Sequence, residues 1–252
     1  MKRYSFHFAL SLILCSVGSL WAQTPGEKPA LYTYVSEWSV PRNMWADYQK
    51  SAAPDIDLFT KMTSDGDLVS WGMFSIVNHQ EGQPTHGSWF SASSMANLMK
   101  TLEGLRAAPG NTDPVLAGSK HWDYIMVSHD YNSHPGTFKN GYLRVATWKT
   151  SGGGADPDNK IMRATMVSML DKLVASGALH DYQIDQETVH SSDPDQFYVA
   201  IIANGGDGLD KFNAALEDMQ KNNPMALAAY RGLINPAGHR DMLAHVDTMT
   251  HK

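Results

Sequence analysis

The chain repeats itself, and that repeat constrains its fold more than any local pattern. Tyr32, Val35 and Trp38 return as Tyr142, Val145 and Trp148, 110 positions further on. Gly66, Leu68, Trp71 and His79 are answered by Gly177, Leu179, Tyr182 and His190 at an offset of 111. His121-Trp122-Asp123 is answered by His239-Arg240-Asp241 at an offset of 118. A slowly growing offset is what two copies of one unit show after small loop insertions. The chain is therefore expected to build the same element order twice.

The ends are read separately from the repeat. Residues 1–22 form a targeting segment: Lys2 and Arg3 are a basic start, and Phe6 to Leu20 are an apolar run too short for a comfortable membrane span. Ala22 is a small residue ahead of a cut before Gln23, and a cut after Ser19 is the alternative. Cleavage leaves a polar leader, 23–30, on a protein exported to a periplasm or the extracellular space. Losing Lys2 and Arg3 leaves 18 of the 20 basic residues against 26 acidic ones, so the formal charge becomes −8 in place of −6. That balance argues against nucleic acid or an anionic membrane surface as partner. Cys15, the one cysteine, leaves with the segment. The mature chain thus has no disulfide, thiolate ligand or cysteine nucleophile.

Hydrophobic periodicity gives each copy the order βαββαβ. In the first unit, 31–130, strands are expected at 31–40, 68–79, 86–91 and 121–129. Helices follow Pro41, with a kink at Pro54, and follow a cap at Ser93 or Ser94. A Pro/Gly-bearing linker, 131–140, separates it from the second unit, 141–252. There Met162, Met166, Met169, Leu170, Leu173 and Val174 share one helical face. A four-stranded antiparallel sheet with both helices on one side leaves its other side bare, and a second copy can cover it. The expected fold is α+β: two tandem ferredoxin-like units packed sheet to sheet as a barrel within one chain.

This element order resembles the dimeric α+β barrel superfamily, which includes cofactor-free monooxygenases, haem-degrading enzymes and chlorite-dismutase-like proteins. The resemblance implies a small-molecule ligand in an α+β barrel, monooxygenase-like activity on it, and homo-oligomers as a further expectation. No cofactor is required by this reading. His190-Ser191, with Phe197 after an acidic turn, resembles the proximal-histidine region of the chlorite-dismutase family, which implies haem on His190 as the alternative. The distal arginine of that family has no counterpart, since Ala203, Asn204 and Gly205 stand there. A non-catalytic structural protein with a side-chain-filled barrel is a further alternative.

Period-two alternation picks the candidate site residues. Trp71 and His79 share a face of one strand, as do Tyr182 and His190 of its counterpart. Tyr34 and Trp38 share a face, and so do Arg144 and Trp148. Such faces either line a pocket or pack as sheet core. On the pocket reading His190 is a base, Tyr182 a hydrogen-bond donor and Arg144 an anion anchor, and Trp148, Trp38, Trp71 and His79 are ligand-binding walls. His121 with Asp123 and His239 with Asp241 are spaced to share a divalent ion or, more simply, to bond each other along a strand. No G-x-S-x-G, H-E-x-x-H or phosphate-loop pattern is present.

Overall fold

Each copy begins with a strand rich in aromatic and β-branched residues and ends with a long one. In the computed structural model, which describes residues 28–108, 114–151, 163–192 and 195–252, the first copy runs β1 (Leu31–Ser39), α1 (Trp45–Ser51), α2 (Ala53–Asp65), β2 (Ser70–Ile76), β3 (His86–Ala92), α3 (Met95–Ala107), α4 (Pro114–Ala117) and β4 (Lys120–Ser133). The second runs β5 (Gly136–Phe138), β6 (Gly141–Thr150), a π-helical turn (Arg163–Val167) into α5 (Ser168–Ala175), β7 (Leu179–Val189), β8 (Gln196–Ala203), α6 (Gly206–Asn222), α7 (Pro224–Leu233) and β9 (Ile234–His251). The expected targeting segment, most of the 23–30 leader and Met162 lie outside the described residues.

Local signals explain the boundaries. Pro54 stands in the first turn of α2, where its missing N–H needs no partner, so the helical path bends and continues. Ser94 caps α3, its Oγ accepting from Asn97 N at 3.2 Å. The echoed glycines Gly66 and Gly177 do one job twice. Both are left-handed, at φ +89° and +73°, and both end a helix just before a strand. The next amide returns to the helix in each case, Asp67 N to Met62 O at 2.9 Å and Ala178 N to Leu173 O at 3.0 Å.

Residues 131–140, expected as a linker, carry the end of β4 and the short strand β5, which pairs with the end of β9. Within the copies the strands lie in the ferredoxin-like orders β2-β3-β1-β4 and β7-β8-β6-β9. The copies then join along both edges: β4 pairs with β7, and β9 returns to pair with β2. Eight strands thereby close into one antiparallel barrel with no free edge among them. The two sheets face each other as the duplication requires.

Helices cover the outside of both sheets. In the first copy Phe59, Met62 and Leu98 pack on Leu68, Trp71 and Phe90. In the second, Leu170, Val174 and Phe212 pack on Leu179, Tyr182 and Ile201. A third apolar cluster, with Phe74, Trp89, Leu143, Ile202 and Val246, lies inside the barrel.

Candidate functional site

The inner cluster does not fill the barrel. A cavity of about 710 Å³ lies between the sheets, within the usual range for small-molecule pockets. Its walls come from the strand positions opposite in parity to the helix-facing ones. They include Thr33, Val35 and Glu37 of β1, Leu143, Val145 and Thr147 of β6, and Asp181, Gln183 and Asp185 of β7.

The two copies furnish unlike walls. At the offset of 111, Phe74 of β2 corresponds to Asp185 of β7, and both line the cavity. Phe74 stands opposite Gly87 in the β2–β3 register, and Trp89 stands opposite Gly72. Each ring lies over the facing glycine. A Cβ on Gly72 would meet the Trp89 ring at 2.2 Å, and one on Gly87 would meet Phe74 at 2.3 Å. These glycines let two aromatic rings lie flat as an apolar wall.

Across from it, β7 turns alternate polar side chains inward. Gln183 accepts from Thr33 Oγ1 at 3.2 Å, which ties the two copies together, and Thr33 shares a 2.8 Å hydrogen bond with Ser91 of its own copy. Asp185 is only 6% exposed, and its Oδ1 has no hydrogen-bond partner among the described residues. Burial first, and the neighbouring Asp181 second, push its carboxyl up to about 8. Burial raises Asp181 to about 7 against the pull of Lys28, and it raises Glu37 to about 7. Burial, with the Glu37 and Glu187 carboxylates, lifts the Tyr124 phenol to about 12.

Glu187 behaves differently although it is on the same strand. Burial disfavours its charge, but it accepts from Ser191 N at 2.6 Å and Tyr198 Oη at 2.7 Å, and also from the Ser192 hydroxyl. Those bonds outweigh burial and hold its carboxyl below the usual range. It organises the β7–β8 connection, whereas Asp185 has an oxygen left over. The mouth is polar and exposed, with Asn78, His79, Gln80 and Arg240. Asn78 fastens the β2–β3 loop there, donating to Asp241 O at 3.2 Å and accepting from Leu243 N at 2.8 Å.

The residues picked from sequence fall mostly outside this cavity, because the aromatic strand faces turned out to be the helix-packing faces. Tyr182 is fully buried under α5 and donates to Asp171 Oδ1 at 2.8 Å, an arrangement that with burial raises its phenol beyond the ordinary range. Trp71 packs on Phe59 in the helix–sheet core. Trp38 and Trp148 stack on His121 and His239. Arg144 donates to Asp241 Oδ1 at 3.1 Å and lies over the Phe212 ring. His190 is exposed just past the end of β7. Of the residues picked from sequence, His79 lines the cavity at its mouth, and so does Asp241.

The His-x-Asp pairs bond internally, His121 Nε2 to Asp123 Oδ2 at 2.8 Å and His239 Nε2 to Asp241 Oδ2 at 3.0 Å. Among the described residues no three or more His, Cys, Asp or Glu side chains converge as a metal ion requires. The sequence reading passed over Glu37, Asp181, Gln183 and Asp185. Their signal is the alternation Asp181, Gln183, Asp185, Glu187 through an otherwise buried strand.

No family model and no curated protein matches the sequence. Among solved structures, the chain is similar to a protein of Lactobacillus acidophilus NCFM described as a monooxygenase, with a TM-score of 0.64 and 10% identity over 88% of this chain and 96% of that one. It is similar to a haem-binding protein of Thermus thermophilus (TM-score 0.52, 10% identity, 87% of this chain and 91% of that one). A mutant chlorite dismutase of Candidatus Nitrospira defluvii is a third, with a TM-score of 0.51 and 10% identity over 86% of this chain and 90% of that one. At such identities the likeness is one of architecture: the chain shares with these proteins the fold of an α+β barrel, here with both ferredoxin-like halves in a single polypeptide.

Proposed function

We propose that this protein binds a small organic molecule inside the barrel, and that it does so outside the cytoplasm. The observation that carries the first part is a cavity of about 710 Å³ whose wall includes the buried side chain of Asp185, with Oδ1 unpartnered among the described residues. A buried acceptor left without a partner costs roughly 1–3 kcal/mol, and a ligand donor would recover it. Apolar surface from Phe74, Trp89 and Leu143 with a few polar groups is the composition of a ligand pocket. A space of this size is at odds with the filled-barrel alternative.

An organic ligand suits the residues of this cavity better than haem does. His190, the histidine that the haem reading rests on, lies outside the cavity, and His79 sits at the exposed mouth and not within the barrel. Glu37, Asp181 and Asp185 would also give propionate groups no cationic partner. Binding is therefore the function carried forward. The test is a ligand screen by thermal shift on the wild type and on Ala200→Phe, which fills a wall position. Ligands should raise the melting point of the wild type alone; equal shifts in both would place binding elsewhere.

Export rests on the 1–22 pattern described above. It is tested by the mass of the protein recovered from a secreting host, expected to begin at Gln23 or, after the earlier cut, at Leu20. An intact chain retained in the cytosol would overturn it.

A further inference from the structure

Below the mouth, the ionisable side chains that line the barrel are acids. Glu37, Asp181 and Asp185 line the cavity, while Arg240 is its one Lys or Arg among the described residues and stands exposed at the mouth. Below the mouth, no cationic side chain among the described residues lines the walls. Asp185 is buried with an oxygen free to accept, so the carboxyls are not a solvated acidic patch. Opposite Asp181 and Asp185 lie the faces of Phe74 and Trp89, with Trp122 and Tyr124 also lining the space. Asp181 and Asp185 on one wall, aromatic rings on the other and Glu37 beside the rings, cross-strand from Gly87, describe a receptor for a cation with an apolar body. The carboxylate would accept from an N–H donor, and the rings would meet the charge and the hydrocarbon.

Resting on the binding role proposed above, we infer that the ligand is an organic cation, a protonated primary or secondary amine on an aromatic or aliphatic body. Its ammonium group donates to Asp185, and its apolar part lies on the Phe74–Trp89 wall. An anionic ligand would meet uncompensated carboxyls. A neutral ligand would leave them to be satisfied by water or by their own protons.

The proton balance follows from the geometry. Asp185 is flanked in the sheet by Ser128 of β4 and Tyr198 of β8. The titratable or charged groups sharing its cavity are Glu37 on β1, Tyr124 on β4, Asp181 on β7, Tyr198 on β8, Arg240 and Asp241 on β9, and His79 at the mouth. Burial keeps Asp185 protonated in the empty barrel near neutrality. An arriving ammonium favours the carboxylate, and the carboxyl proton leaves to solvent. Affinity for an amine therefore rises with pH through neutrality, and a neutral acceptor ligand shows the reverse.

The experiment is calorimetric titration of the mature protein with three probes of one shape: 2-(1-naphthyl)ethylammonium, 2-(1-naphthyl)ethanol and 1-naphthylacetate. It is run at pH 6 and pH 8.5 in buffers of different ionisation enthalpy. The ammonium should bind about tenfold or more tighter than the alcohol at pH 8.5, release protons and weaken at pH 6, while the carboxylate does not bind. Asp185→Asn should abolish the preference for the ammonium. The wild-type pH dependence carries the test even if that variant fails to fold. Equal binding of ammonium and alcohol at both pH values overturns the cation inference and leaves the cavity reading standing. Failure of all three probes to bind overturns both.

Discussion

The imidazole of His239 lies flat on the indole of Trp148, ring centroids 3.6 Å apart and planes 14° from parallel. His121 lies on Trp38 in the same manner, at 4.4 Å and 14°. Each histidine bonds the aspartate two residues on. What the repeat preserves at these positions is a Trp–His–Asp brace on the outer face of each sheet. Such a ring pair contributes about 0.5–1.5 kcal/mol beyond its burial. His239→Ala and His121→Ala should each lower unfolding free energy by about 1 kcal/mol in urea titrations. The losses should add, since the braces belong to different copies. Zinc should leave both melting points unchanged; a zinc-dependent rise lost with His239→Ala would show metal binding instead.

Asp185 places a pH dependence on folding itself. Its carboxyl is raised by burial to about 8 in the folded chain, against roughly 4 when unfolded. Between those values the unfolded chain has released a proton that the native one still holds, so stability falls as pH rises. Asp181 and Glu37, both raised to about 7, act in the same direction. Asp185→Asn should therefore be more stable than the wild type, with an advantage that grows from pH 5 to pH 8 to the order of a few kcal/mol. Melting curves across that range check it, and a constant difference would contradict it.

Gly72 is held open for Trp89. Gly72→Ala would put a methyl group 2.2 Å from the ring, which must swing toward the cavity. The expected cost is about 1–3 kcal/mol, with weaker binding of any ligand seated on that wall. Chemical denaturation and ligand titration measure the two effects separately.

Tyr182 tests whether the helix-facing side has a chemical role. Tyr182→Phe removes the hydrogen bond to Asp171, which should cost on the order of 1 kcal/mol or somewhat more. Ligand affinity should stay within about twofold of wild type, because the phenol does not reach the cavity. A loss of binding without a loss of stability would return Tyr182 to the site.

The repeat made the fold legible. Gly66 and Gly177 end equivalent helices, and Trp38 and Trp148 stand at equivalent strand positions, so element order could be read twice and cross-checked. The site was harder for a physical reason. Alternation divides a strand into two faces but does not say which one water sees. Polar residues at alternate positions normally form a solvated face, so nothing local marks Asp181, Gln183 and Asp185 as a cavity wall. Only the pairing of β4 with β7 and of β9 with β2 turns that face inward, and such long-range pairing leaves no local mark. The reach of β4 to Ser133 has the same origin: those residues are strand because β7 pairs with them.

Consider what fusing the halves permits. A barrel made from two identical chains must show each wall residue twice about its axis, so an acid on one side is met by the same acid on the other. Here Phe74 and Asp185 occupy matching places and have become different. An asymmetric guest can thus be read head and tail by separate surfaces and held in one orientation. Selection can also retune the grip on one end without disturbing the other.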